Sequence, residues 1–143
     1  MPQELWQQLK TEAQQVIQQE PLLASYVSAC VLNHNSLQSA LSFILANKLS
    51  DDVMPAATVR ELFDKAFSES PNTIEDALCD IKAVFERDAA VSTHLAVILY
   101  MKGFQSIQVH RLAHFLWLNN RKELALFMPV SYTHLTLPTI YSV

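Results

Sequence analysis

Glycine is almost missing from this chain: Gly103 is the only one in 143 residues. Average usage is about 7%. Strand-rich folds need glycine in their turns, and phosphate-cradling loops need it so that backbone can approach the ligand. With one glycine, neither a Walker loop nor a dinucleotide-binding fingerprint can be built. Cysteine is also scarce. Cys30 and Cys79 each sit inside an apolar helical pattern, which suits small buried hydrophobes better than a bridge or a reactive thiol. Positive charge is in deficit, with 10 Lys and Arg against 14 Asp and Glu and a net charge of −4. That excludes a nucleic-acid binder, which needs a basic face to neutralise phosphates. No basic amphipathic stretch suits an anionic membrane surface. No apolar run approaches the roughly 20 residues of a transmembrane helix. The start, "MPQELWQQLK", has acid and amide where a signal peptide has a basic region and an apolar block. A cytoplasmic protein is expected.

What is present is helix grammar. Half of the residues are hydrophobic, enough to bury a core without staples. In residues 3–19, Leu5, Leu9, Ala13, Val16 and Ile17 form one stripe. Pro21 opens "PLLASYVSACVL", because proline suits the first helical position. Ser36 is an N-cap for residues 37–49. Pro55 starts "PAATVRELFDKAFSES". Pro71 and Thr73 bracket the next start, with Asp76 completing a near capping box; Ile74, Leu78, Ile81 and Phe85 point inward. Further helices are expected over about 90–101, 103–119 and 121–128. The fold class is therefore all-α: about eight short helices in an irregular bundle. After Met128 the composition changes. "PVSYTHLTLPTIYSV" is rich in Thr, Ser, Val, Ile and Tyr, carries Pro129 and Pro138, and has no acidic or basic residue apart from His134. These residues favour strand or coil. The expected division is a helical domain over 1–128 and an extended or disordered, non-native tail over 129–143.

Few residues invite chemistry. On a helical wheel Phe104, Ile107, Phe115 and Leu118 surround Arg111, which needs a partner: a structural ion pair at a helix contact, or a bound anion. Ser106, His110 and His114 share one stripe at i, i+4 and i+8. A zinc site needs three or four protein ligands, and no His-Glu-x-x-His motif or nearby cysteine pair is present, so a polar face toward solvent or a neighbouring subunit is expected. No strand–turn–helix elbow surrounds any serine. Asp88 continues the inward stripe of Ile81, Val84 and Phe85, at a helix C-terminus where the dipole disfavours a carboxylate. Two readings stay open for it: an N-cap for the following helix, or a carboxylate aimed at a cation such as a substrate ammonium.

The blocks "EPLLASY", "SLQSALSFILANKLS", "MPA", "DIKAVFERDAAV", "LYMKGFQSIQVHRLAHFLW" and "RKELALF" resemble, in this order, the N-terminal helical domain of bacterial serine acetyltransferases. The likeness covers about residues 4–128. Lys102-Gly103-Phe104 matches the family's Lys-Gly-Phe run, and Arg111, His114 and Trp117 fall on family positions. Two departures stand near Asp88. The family usually has Asp-Pro where this chain has Asp88-Ala89, and Tyr-Ser-Thr-Pro where it has "THLAV".

The resemblance implies transfer of an acetyl group from acetyl-CoA to the hydroxyl of L-serine, for cysteine biosynthesis. It implies a helical domain followed by a left-handed parallel β-helix of hexapeptide repeats. The β-helix forms trimers and carries the catalytic histidine and the CoA groove; the helical domains join two trimers into a hexamer. O-acetylserine sulfhydrylase is a possible partner through the family's C-terminus. The helical domain contributes an aspartate that holds the serine ammonium, and Asp88 stands at that position. In this chain the segment after "LALF" shows no hexapeptide period and reads as a foreign appendage, like a translated adapter sequence, after a truncated gene. The 143 residues are thus expected to be a non-catalytic association module, with Asp88 as the one substrate-binding residue and with no catalytic residue, cofactor or metal assigned. The alternatives are a stand-alone helical interaction module with no enzymatic parent, and a histidine-rich metal-binding bundle.

Overall fold

The computed structural model describes the backbone of residues 2–131 and the side chains of residues 3–128. Among the described residues there are eight α-helices and no β-strand. Helix α1 (Pro2–Gln19) buries Leu5, Trp6, Leu9 and Ala13. Pro21–Leu23 forms a 3₁₀ turn, α2 follows over Ala24–Val27, and Ser28–Leu32 widens into a π turn. The single helix expected from Pro21 to Leu32 is therefore three kinds of helical turn in one continuous run. The π turn shows in the Asn33 N–H bond to the Ser28 carbonyl, 2.9 Å and five residues back.

Helix α3 (Leu37–Leu49) is the central element. Its N-cap is Ser36, whose hydroxyl accepts from the Ser39 N–H at 3.2 Å, as expected. Leu37, Ala40, Leu41, Ser42, Ile44, Leu45, Ala46 and Leu49 are all buried, so it is covered on most sides. Helix α4 (Ala56–Glu69) starts just after Pro55 and lies along α3, burying Val59, Phe63, Ala66 and Phe67. Helix α5 (Pro71–Arg87) has Ser70 at its N-cap and proline at its first position. Thr73 is not the cap. It sits inside the first turn, and its hydroxyl is 2.8 Å from that of Ser70.

Helix α6 (His94–Tyr100) is shorter than the expected 90–101. Thr93 caps it by accepting from the Ala96 N–H at 3.0 Å. Helix α7 (Lys102–Leu118) packs on α4, α5 and α6, and α8 (Lys122–Ser131) packs back on α7. The reversal between them has a physical cause in the sequence. Asn120 takes φ 65°, a left-handed conformation that asparagine tolerates. The Arg121 N–H then bonds the Leu116 carbonyl at 2.8 Å, and the Asn120 N–H bonds that of Trp117 at 3.2 Å. Together these close the helix end in a Schellman motif.

Three expectations are corrected. Helix α8 does not stop at Met128. It continues through Pro129 to Ser131. Proline removes one helical hydrogen bond, but its fixed φ is itself helical. The rest of the expected tail, residues 132–143, lies outside the described residues. Cys79 is exposed, whereas Cys30 is buried. Cys79 follows Leu78 by one residue, about 100° around the helix, which turns it off the inward stripe. The wheel drawn for α7 is also partly wrong. Ile107 and Leu118 are exposed, while Gln105 and Gln108 are 1% and 0% exposed.

Candidate functional site

Asp88 follows the last turn of α5. Its backbone leaves the helix with φ −99° and ψ 106°. Its N–H still bonds the Val84 carbonyl at 3.0 Å, and its own carbonyl accepts from the Val91 N–H at 3.0 Å. The carboxylate oxygen Oδ1 accepts from the Ala90 N–H at 2.9 Å. Asp88 therefore caps a local Asx turn. It is not the N-cap of the next helix, because that helix starts six residues later under Thr93. The other oxygen, Oδ2, takes no hydrogen bond among the described residues.

That carboxylate lines an open cleft of about 580 Å³ between the end of α5 and the start of α7. Val84, Met101, Phe104 and Ile107 form its apolar side, and Asp80, Arg87 and Asp88 carry its charge. Gly103 also lines it, and a Cβ built there would meet nothing within 4 Å. An apolar wall beside a carboxylate with a spare oxygen suits a small cationic group attached to a carbon chain.

Beneath the cleft lies the ion pair of Arg111. Its guanidinium meets the Asp80 carboxylate through Nη1, and Nε lies 3.8 Å from Asp76. The Gln108 amide donates to Asp80 at 2.9 Å. The arginine is thus a tie between α5 and α7, and its charge is already met. Of the two readings of Arg111, the ion pair at a helix contact is the one realised. Gln105 plays a related part by donating to the Ile98 and Leu99 carbonyls, at 2.9 and 3.1 Å, at the end of α6. Neither glutamine stood out in the sequence, because both look like polar interruptions of an apolar helix.

The Ser106–His110–His114 stripe gathers no ligand set. Ser106 donates to the Lys102 carbonyl at 3.0 Å, and the two rings lie 6.1 Å apart. Among the described residues no three His, Cys, Asp or Glu side chains converge to hold a metal. Burial pushes the His110 pKa below its ordinary value, with the neighbouring His114 and Arg111 adding to the effect.

A second constellation joins α1 to the start of α6. The carboxylate of Glu12, only 6% exposed, accepts from the Leu95 N–H and from His94 Nδ1, both at 2.9 Å, and from the Gln8 amide at 3.1 Å. The His94 ring stacks on Phe85 with centroids 4.0 Å apart. No local signal in the sequence pairs residue 12 with residue 94.

The family described as serine acetyltransferase, N-terminal, matches residues 5–109. The serine acetyltransferase of Haemophilus influenzae is 44% identical over 125 residues, covering 87% of this chain and 47% of that protein. Among solved structures, a serine acetyltransferase in complex with CoA superposes with a TM-score of 0.91 at 42% identity, covering 93% of this chain and 57% of the other. Soybean serine acetyltransferase complexed with serine superposes with a TM-score of 0.85 at 39% identity, covering 89% and 52%. The chain spans about half the length of the curated relatives it matches. These matches run through α1 to α7 and include the turn that carries Asp88, so the chain belongs to the serine acetyltransferase N-terminal domain family.

Proposed function

We propose that this chain is the association and substrate-site-contributing domain of a serine O-acetyltransferase, which transfers the acetyl group of acetyl-CoA to L-serine. The superposition at TM-score 0.91 over 93% of the chain carries this reading. The solved relatives with CoA and with serine supply the substrate classes. Asp88 holds the serine ammonium. Its Oδ1 is pinned by the Ala90 N–H, which fixes the carboxylate plane and leaves Oδ2 for the cation. A charge-assisted bond of this kind orients the amino acid while the hydroxyl is attacked elsewhere. By the family resemblance, the base and the acetyl-CoA groove belong to a β-helix, and the helical domains join trimers into a hexamer in the cytoplasm. O-acetylserine sulfhydrylase is a partner of the family's C-terminus, not of these helices.

The test joins residues 1–128 to the catalytic part of the Haemophilus influenzae enzyme. The chimera is expected to acetylate serine. In it, Asp88→Asn is expected to lower kcat/KM for serine at least tenfold, about 1.4 kcal/mol. The KM for acetyl-CoA is expected to stay put. Residues 1–143 alone are expected to release no CoA in the presence of serine. Equal activity of the Asn variant and its parent chimera would reduce Asp88 to a turn residue. A stand-alone interaction module would instead give a folded, inactive chimera.

A further inference from the structure

Outside the Asp88 cleft, one cluster places a hydroxyl, an imidazole and a guanidinium together. His34 follows the π turn and is buried. Its Nε2 lies 2.8 Å from the Ala29 carbonyl and its Nδ1 lies 2.7 Å from the Ser39 hydroxyl. A carbonyl can only accept, so Nε2 carries the proton. In the neutral ring Nδ1 is then the acceptor, and the Ser39 O–H donates to it. Burial holds this histidine's pKa below its ordinary value, which keeps the ring neutral; Arg60 lowers it further, while the Ala29 carbonyl and Asp64 oppose the shift. From the facing helix α4, Arg60 Nη2 donates to the same Ser39 oxygen at 3.2 Å. Arg60 is itself steadied by Asp64, 3.8 Å away, and by the Phe43 ring, 5.7 Å from its guanidinium carbon.

These groups open onto a polar cleft of about 610 Å³, lined also by Asn33, Asn35 and Ser36. Ser39 is neither sealed nor fully exposed. A serine oriented by a histidine, itself oriented by a fixed acceptor, is the arrangement of an activated nucleophile. A guanidinium 3.2 Å from the serine oxygen is within reach of the charge that develops on a carbonyl attacked there.

We propose that Ser39 is an acylable nucleophile with His34 as its base and Arg60 as its oxyanion partner, taking activated carboxylic esters as acyl donors. In the step, Ser39 Oγ bonds to the ester's carbonyl carbon and its proton passes to His34 Nδ1. The carbonyl oxygen becomes an oxyanion against Arg60. Its collapse breaks the bond to the alcohol or phenol, which leaves with or without the proton from His34. The product is an acyl-Ser39 ester and no oxidant or reductant is needed. This site is separate from the Asp88 cleft, so it stands or falls without the serine-acetylation reading.

The test uses the full 143-residue chain and p-nitrophenyl acetate near neutral pH, with acetyl groups located by peptide mass mapping over time. Ser36 and Ser68, both exposed, serve as references within the same molecule. A general base contributes at least about a hundredfold, so Ser39 is expected to acetylate more than about tenfold faster than either. Arg60→Gln, on a half-exposed side chain, is expected to lower the Ser39 rate at least about tenfold. His34→Asn is expected to bring it to the level of Ser36. Acetylation confined to lysines, or a Ser39 rate no higher than that of Ser36 in the unmodified chain, overturns the proposal whatever the variants do.

Discussion

Glu12 and Asp88 are both partly or wholly buried carboxylates near helix ends, and they are used in opposite ways. Glu12 sits at the N-terminus of α6, where helix N–H groups favour an anion. Both of its oxygens are taken, by Leu95, His94 and Gln8. Asp88 sits at the C-terminus of α5, where the dipole opposes it, and only one oxygen is engaged. The saturated carboxylate holds two helices, α1 and α6, together. The unsaturated one, in the less favourable field, faces a cleft. On the proposed function, that spare oxygen is what the serine ammonium takes up.

This contrast is sharpest in unfolding experiments. Glu12→Ala leaves the Leu95 N–H and the His94 ring without their acceptor, and is expected to cost about 2–4 kcal/mol in urea titration. Asp88→Ala loses one hydrogen bond in a turn and is expected to cost under about 1 kcal/mol. Equal costs would erase the distinction between the two. Arg111→Met is expected to fall between them, at about 1–2 kcal/mol. It strands the Asp80 carboxylate with Gln108, but both members of the pair are about a quarter exposed, so water compensates in part.

Acid gives a further handle. His34 and His110 both have folded-state pKa values below the ordinary 6.5, each chiefly from burial. The unfolded chain then binds more protons than the folded one. Stability from this source is complete above about pH 6.5 and is lost as the pH falls through and below that value. The melting midpoint is expected to drop between about pH 7 and pH 5, and His34→Gln is expected to flatten that slope. The smallest effect belongs to Gly103, where alanine meets open space in the first turn of α7. Gly103→Ala is expected to stabilise the chain by up to about 0.5–1 kcal/mol in the same titration. A loss would mean that the added Cβ is crowded within the folded chain itself.

Much of the helical order was readable because its signals are local. Ser36, Pro55 and Pro71 mark helix starts by their own chemistry, and the stripe of Leu5, Leu9 and Ala13 marks a face. Signals that depend on three-dimensional meeting were not readable. The π turn at Ser28–Leu32 shifts the register of a run that reads as plain helix. Glutamines 105 and 108 are buried because carbonyls and a carboxylate from other helices reach them. The sequence allows Asp88 to cap the next helix, but a cap depends on where that helix begins, and it begins at His94 under Thr93. Arg111 was recognised as needing a partner, and only the fold supplied Asp80 and Asp76.

The tie from Glu12 to Leu95 closes a loop of 83 residues. A chain is made from its N-terminus at roughly 5–20 residues per second, so Glu12 emerges about 4–17 s before the Leu95 N–H that donates to it. Through that interval α1 has only the helical turns of residues 21–32 and the elements made soon after them to pack on. Helix α1 is therefore secured in two stages, first on the helical turns of residues 21–32 that follow it and only later by the tie to α6.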